Sequence, residues 1–126
     1  HWDLKKGTPY VIGCSTELEQ LIESEQIHKG ITATAGGFYG PQGRVLRLGI
    51  QDSALNSKMD SFSFEGHRIT NLEMETSAIY GLGKLLGHHC LSMNAIIANR
   101  ANGTFSQDPY KAVDELILYT LNKLAQ

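Results

Sequence analysis

Three segments of the chain carry apolar residues at helical spacing. Residues 15–27 begin with Ser and Thr, have two glutamates in the first turn, and place leucine and isoleucine at i, i+3 and i+4. Residues 72–86 are small or apolar on almost every side, which predicts a helix that packs on more than one face. The last predicted helix begins with Asp108 as its N-cap and Pro109 at its first position, and an apolar stripe follows.

Two other apolar runs predict strands. Residues 30–37 are rich in β-branched side chains and stop at paired glycines, which is typical of a buried strand that ends in a loop. Residues 89–98 are apolar without alternation, as in a parallel strand buried on both faces. Residues 45–69 leave alternatives open: a short strand, then a loop or short helix, then an edge strand around a Gly turn. This order predicts an α/β fold with a mixed, mostly parallel sheet flanked by helices.

Composition narrows the class of partner. The 126 residues fit one domain, and the net charge of −2 with scattered Lys and Arg argues against nucleic acid and against a membrane surface. No apolar run approaches the ~20 residues that span a bilayer. Cys14 and Cys90 come without a secretory signal, which favours reduced thiols in the cytoplasm. We therefore expect a small-molecule partner.

A polar turn follows the first predicted strand. Gln42 and Arg44 lie on the PQGR turn, directly behind the aromatic residues Phe38 and Tyr39. A Gln amide can match the N3–H and a carbonyl of a uracil ring, and an Arg can donate to the other carbonyl. A solvated surface turn is the alternative. The aromatic rings either stack on a base or pack in the core.

Two carboxylates flank a methionine where the chain enters the predicted helix at 72–86. Glu73 and Glu75 either complement the helix dipole or bind a ligand. An ionised carboxylate has two acceptor oxygens, which suits the vicinal hydroxyls of a ribose. Met74 between them offers an adaptable apolar wall for a sugar.

A further polar pair, Asn99 and Arg100, directly follows the apolar run at 89–98. Because binding sites favour the carboxyl ends of strands, two arginine-bearing loops suggest a pocket for a polar ligand. In the alternative, Arg100 only pairs with a core carboxylate. The glycines of residues 81–87 are interpreted as allowing close helix packing, and GHHC at 87–90 as a helix C-cap rather than a metal site.

Three of these motifs, in this order, resemble the C-terminal half of the uridine phosphorylase family and its nucleoside phosphorylase relatives. They are FYGPQGR at 38–44, NLEMETSAIY at 71–80 and AIIANR at 95–100, and the resemblance runs from about residue 10 to the end. It implies that a pyrimidine base is bound by Phe38, Gln42, Arg44, Ile97, Ala98 and Arg100, with Arg100 placed as a charge behind the residues that touch the base. It implies that the ribose is held by Glu73, Met74 and Glu75, with Glu75 taking both hydroxyls.

The resemblance also implies a reaction. A nucleoside phosphorylase converts uridine and inorganic phosphate to uracil and ribose 1-phosphate, without a metal or other cofactor. Arg44 would then stabilise the leaving base and Glu75 would position the ribose, which makes these two the expected catalytic residues. The family assembles as dimers or hexamers, so a homo-oligomer is expected.

One departure from the family pattern is large. The glycine-rich loop and arginines that bind phosphate in the family have no equivalent here. We therefore expect residues 1–126 to be the C-terminal portion of one domain, inactive alone. The alternatives are a purine nucleosidase of the same fold and a non-catalytic ligand-binding module. The absence of a suitably placed acidic residue after Arg100 favours a pyrimidine, but uridine is not separated from thymidine or deoxyuridine.

Overall fold

The computed structural model describes residues 9–99 and 102–126 and confirms a mixed α/β fold. Its helices are α1 Thr16–Ile22, α2 Leu55–Ser61, α3 Thr76–Leu86 and α4 Pro109–Leu124. Its strands are β1 Ile31–Thr34, β2 Ser63–Phe64, β3 His67–Glu73, β4 Ala98–Asn99 and β5 Thr104–Phe105. Arg100 lies outside the described residues.

The larger sheet has three strands in the order β1-β3-β2, with β1 parallel and β2 antiparallel to β3. Glu65 and Gly66 connect β2 to β3 with positive φ angles of 49° and 81°, as a two-residue hairpin turn requires. The Gly turn predicted within residues 45–69 is therefore confirmed. Its second strand is longer than predicted and central rather than at the edge, because β1 pairs with its other side.

The start of α3 differs from its prediction. The helix begins at Thr76 instead of residue 72, because the preceding residues pair with β1 as the end of β3. Gly87 ends it in the left-handed conformation, and its N–H reaches the carbonyls of Gly83 and Lys84. This confirms the predicted C-cap. Gly83 is buried against the Cys90 side chain, which would collide with any Cβ at that position.

The predicted buried strand at 89–98 is wrong over most of its length. Only its last residue, Ala98, belongs to a strand, and β4 pairs antiparallel with β5 in a separate two-stranded sheet. The Cys90 carbonyl accepts from Ser15 N–H at 2.8 Å, and Ser92 N–H donates to the Tyr80 hydroxyl at 2.7 Å. An apolar run indicates burial but cannot supply the neighbouring backbone that a strand needs.

In the described part of the chain, most large apolar side chains are exposed and few are buried. Ile22 is the buried apolar residue there, and Tyr119 of α4 secures its carbonyl with a 2.5 Å hydrogen bond. The stripes of α3 and α4 are largely exposed, so the prediction that α3 packs on several faces is wrong for this chain alone. The chain exposes 9797 Å², against about 6,700 Å² for a compact monomer of its mass.

The loop at 45–50 is not the short strand considered for it, and its Val45, Leu46 and Leu48 are exposed. The following segment forms α2, so the short-helix alternative is confirmed there. Within the described ranges, none of the helices has the length and apolar character needed to cross a membrane.

Candidate functional site

The carboxyl ends of β1 and β3 lie side by side. Thr34 and Glu73 are partners in the parallel register, and Ala35 N–H donates to the Glu73 carbonyl at 2.9 Å. The loop that follows β1 and the segment that follows β3 therefore leave the sheet at the same edge. Such an edge is a favoured place for a ligand site in α/β proteins.

The Arg44 loop, residues 35–44, is held by a short 3₁₀ turn over Gly40–Gln42. Pro41 stands in its first turn, and Gly43 follows with a φ of 73°, which glycine adopts without strain. Both Gln42 N–H and Arg44 N–H donate to the Tyr39 carbonyl at 3.0 Å. The backbone thus fixes where the side chains of the loop begin.

Arg44 is anchored on Phe38 in two ways. Its Nη1 donates to the Phe38 carbonyl at 2.8 Å, and its guanidinium carbon lies 3.4 Å from the centroid of the Phe38 ring. Phe38 itself meets Tyr39 edge-to-face at 5.1 Å and keeps 51 % of its surface exposed. The guanidinium and the ring therefore form one unit, held by a hydrogen bond and a cation–π contact.

Gln42 is oriented differently from Arg44. It is only 2 % exposed, whereas its neighbours Phe38 and Tyr39 are about half exposed. Beside it, Asn56 of α2 donates through Nδ2 to the Gly43 carbonyl at 3.2 Å, which packs α2 against the turn. The structure brings Phe38 and Arg44 together at the surface but keeps Gln42 inside the protein.

The carboxylate corner consists of Thr34, Glu73, Glu75, Thr76 and Ser77. Glu73 Oε1 accepts from the Thr34 hydroxyl at 2.5 Å, and Oε2 accepts from the N–H groups of Glu75 at 2.7 Å and Thr76 at 2.6 Å. Burial raises the pKa of Glu73, but these hydrogen bonds favour the charged form more, so the pKa lies below its ordinary value. Glu73 is an ionised carboxylate with both oxygens engaged.

Glu75 and Met74 are exposed at the same corner. The Glu75 side chain makes no capping hydrogen bond, while its carbonyl accepts from Ala78 and Ile79 at 3.1 Å as the first bonds of α3. Met74 keeps 41 % of its surface exposed. Two glutamates that are equivalent in the motif therefore differ: one is used within the protein and the other faces outward.

Ile97 and Ala98 lie at the two-stranded sheet of β4 and β5, and not at the edge of β1 and β3. Ala98 begins β4, and the Ile97 carbonyl accepts from Ser106 N–H at 2.7 Å, next to β5. This second sheet has its own pairing and is not an extension of β1 and β3. Their predicted neighbour Arg100 falls outside the described residues.

The family model of the phosphorylase superfamily matches residues 6–124 of the chain. The chain belongs to the phosphorylase superfamily. Membership implies a glycosyltransferase-type enzyme with nucleoside and phosphate substrates. No curated protein and no solved structure matches the chain.

In this superfamily member, two polar residues of the site escaped sequence analysis. Thr34 bridges β1 to Glu73, and its oxygen also accepts from Ser77 N–H at 3.0 Å. A hydroxyl residue at the last position of a β-branched strand was the available signal. Asn56 contacts the turn from α2, and no local pattern distinguishes it, because the contact depends on how α2 folds back.

The superfamily member also carries a polar cluster in a cleft of about 220 Å³ at the start of α1. The Ser15 hydroxyl lies 2.9 Å from His89 Nδ1 and 2.8 Å from Glu17 Oε2, and His89 Nδ1 lies 3.3 Å from the same Glu17 oxygen. A catalytic triad uses both ring nitrogens of its His, one for the nucleophile and one for the acid. Here both partners meet Nδ1, so the cluster caps α1 without the geometry of a triad.

Proposed function

We propose that the chain supplies the base and ribose sites of a pyrimidine nucleoside phosphorylase that acts on uridine. The observation that carries the proposal is the shared sheet edge. Arg44, fixed on Phe38, follows β1, and the outward-facing carboxylate of Glu75 follows β3. A nucleoside presents a hydrogen-bonding base and a vicinal diol, and these two groups match it.

Arg44 has the role of stabilising the departing base. In phosphorolysis a phosphate oxygen bonds to C1′ while the bond from C1′ to the base nitrogen breaks, and the electron pair stays on the base. A guanidinium has five N–H donors, and the described bond to the Phe38 carbonyl uses one of them at Nη1. The others remain to donate to uracil carbonyls as their negative charge grows, which favours the transition state over the ground state.

Phe38 and Gln42 complete the proposed base side. Phe38 is half exposed, and its ring supports the arginine that would contact the base. Gln42 stays a predicted base contact, and because its side chain is buried, it would have to turn outward to donate to uracil. Ile97, Ala98 and Arg100 also stay predicted contacts of the base.

Glu75 has the role of holding the ribose for in-line attack. Its carboxylate would accept from the 2′- and 3′-hydroxyls, one on each oxygen, and Met74 would cover the apolar side of the sugar. Because the sugar is already fixed in place, less entropy is lost when phosphate attacks. The proposed co-substrate is inorganic phosphate, with no metal or other cofactor.

The exposed apolar stripes of α3 and α4 support a further part of the proposal. Residues 1–126 would be the C-terminal portion of one domain, with the phosphate site on a part of the fold that covers these stripes. The enzyme would work in the cytoplasm as a homo-oligomer, a dimer or a hexamer. The covering part of the fold and the contacts between subunits would each remove apolar surface from water.

The experiment that tests this function measures base release by the full-length gene product. Uridine and inosine are compared, each with and without inorganic phosphate. We expect release from uridine that depends on phosphate. Release from inosine, or release without phosphate, would assign the protein to purine or hydrolytic chemistry, and no release would leave a ligand-binding module as the better description.

A further inference from the structure

We propose that Glu73 is a positioning residue and not a ribose ligand: with Thr34 it forms a brace that fixes the backbone from which Glu75 reaches the sugar. This inference rests on the proposed function, because it assigns a role within that ribose site. It goes beyond the family resemblance, which implies a ribose contact for both glutamates.

The first argument is the number of acceptor positions that Glu73 has left. A carboxylate has about four lone-pair positions. At least three are used: one by the Thr34 hydroxyl on Oε1, and two by the N–H groups of Glu75 and Thr76 on Oε2. A diol bound across both oxygens would have to displace at least one of these bonds. Glu75, which faces outward, has no such cost.

The second argument is what the brace holds. The chain turns from β3 into α3 at Glu75, and three consecutive N–H groups there have acceptors from the brace. Those of Glu75 and Thr76 donate to Glu73, and that of Ser77 donates to Thr34 Oγ1 at 3.0 Å. Such groups at the start of a helix have no partner within the helix. The brace therefore sets the direction in which the Glu75 side chain leaves the backbone.

The third argument is that Thr34 acts from another strand. It faces Glu73 across the parallel β1–β3 pair, and two residues earlier Thr32 donates to Asn71 Oδ1 at 2.6 Å in the same way. Both are hydrogen bonds from a threonine hydroxyl of β1 to a polar side chain of β3. Of the two, the Thr34 bond is the one that reaches the start of α3, so Thr32 provides a matched control for Thr34.

The experiment compares kcat/KM for uridine and for 2′-deoxyuridine in the full-length protein. Wild type is measured beside Thr34→Val, Thr34→Ser, Thr32→Val, Glu73→Gln and Glu75→Gln. Deoxyuridine lacks the 2′-hydroxyl, so the ratio of the two values reports how well Glu75 engages the ribose. Thermal unfolding of each variant separates this effect from loss of stability.

We expect Thr34→Val to lower kcat/KM for uridine by about tenfold, the order expected of a displaced positioning group. The uridine-to-deoxyuridine ratio should fall in the same direction as in Glu75→Gln, and Thr34→Ser should restore it. Thr32→Val should lower the unfolding temperature but leave the ratio unchanged.

One result would overturn the inference while the proposed function stands: a Thr34→Val protein with the wild-type ratio. If the ratio fell in Glu73→Gln at the same time, Glu73 itself would be a ligand of the ribose. If wild type released base from neither uridine nor 2′-deoxyuridine, the proposed function would be overturned, and with it the role inferred for the brace.

Discussion

The carboxylate corner and the Arg44 loop lie at the same edge of the sheet but are held by different contacts. In the corner, hydrogen bonds from Thr34 of the neighbouring strand and from the start of a helix converge on Glu73, which is ionised and partly buried. In the Arg44 loop, a 3₁₀ turn sets the backbone and one arginine rests on one aromatic ring. The corner thus combines local hydrogen bonds with bonds to Thr34, which lies 39 and 43 residues away in the chain, whereas the loop is held mainly by neighbours within seven residues.

This difference separates residues that look alike in sequence. Glu73 and Glu75 have the same chemistry, yet only Glu75 has its carboxylate facing outward. In the loop, Gln42 and Arg44 are also two residues apart. Gln42 is buried, whereas Arg44 lies against the half-exposed ring of Phe38. A motif therefore supplies pairs of candidates, and the fold decides which member of each pair can meet a ligand.

The largest expected effect belongs to Arg44 itself, in the loop at 35–44. Arg44→Ala in the full-length protein should lower kcat on uridine by about 10²-fold, the scale of losing one donor to a developing anion. Arg47→Ala removes an exposed arginine three residues further along and should leave kcat near wild type. Equal losses in the two variants, measured by initial rates of uracil release, would show that general positive charge matters instead.

Gly43 should give the next largest effect, on stability. Its φ is 73°, and a Cβ there would collide with the Asn56 side chain. Gly43→Ala should therefore lower the free energy of unfolding by about 1–3 kcal/mol. Gly36→Ala, where a Cβ meets nothing within 4 Å, is the matched control in urea unfolding. A Gly43→Ala protein as stable as this control would mean that the turn is not held as described.

The carboxylate corner should contribute to the pH dependence of the free energy of unfolding. The pKa of folded Glu73 lies below its ordinary value, so its ionisation stabilises the fold at pH above that ordinary value of about 4.5. That contribution is lost as the pH falls through the ordinary value and then through the folded pKa. Glu73→Gln should flatten the decline of stability below about pH 5. Urea unfolding midpoints from pH 7 to pH 3 measure it, and an unchanged slope would contradict the assignment.

The smallest effect is expected from Glu17, which serves as the reference for Glu73. The hydrogen bonds of its own backbone and of Ser15 outweigh a small desolvation, so its pKa is also lowered. Its side chain is 72 % exposed, however, and solvent screens its contacts with Ser15 and His89. Glu17→Gln should leave the unfolding midpoint and its pH dependence close to wild type. If Glu17→Gln and Glu73→Gln behaved alike, burial of the corner would not be what distinguishes it.

Local signals in the sequence predicted the starts of α1 and α4 correctly, although α1 ends at Ile22 and not at residue 27 as predicted. Asp108 caps α4 by accepting from Lys111 N–H at 3.0 Å, and Ser15 caps α1 through Leu18 N–H at 3.3 Å. These contacts join residues three apart, so their chemistry is visible in a short stretch of sequence. The start of α3 and the strand at 89–98 were predicted wrongly, since both depend on whether a distant strand lies alongside.

By itself the sequence determined the mixed α/β class, the superfamily and the groups that could meet a nucleoside, because periodicity, capping and motif chemistry act within a few residues. Only the tertiary structure decided that Thr34 faces Glu73, that Gln42 is buried and that Glu75 is exposed. Those outcomes depend on the register of β1 against β3 and on how α2 folds onto the turn. The contacts of the corner join residues up to 43 apart in the chain, and no local pattern records them.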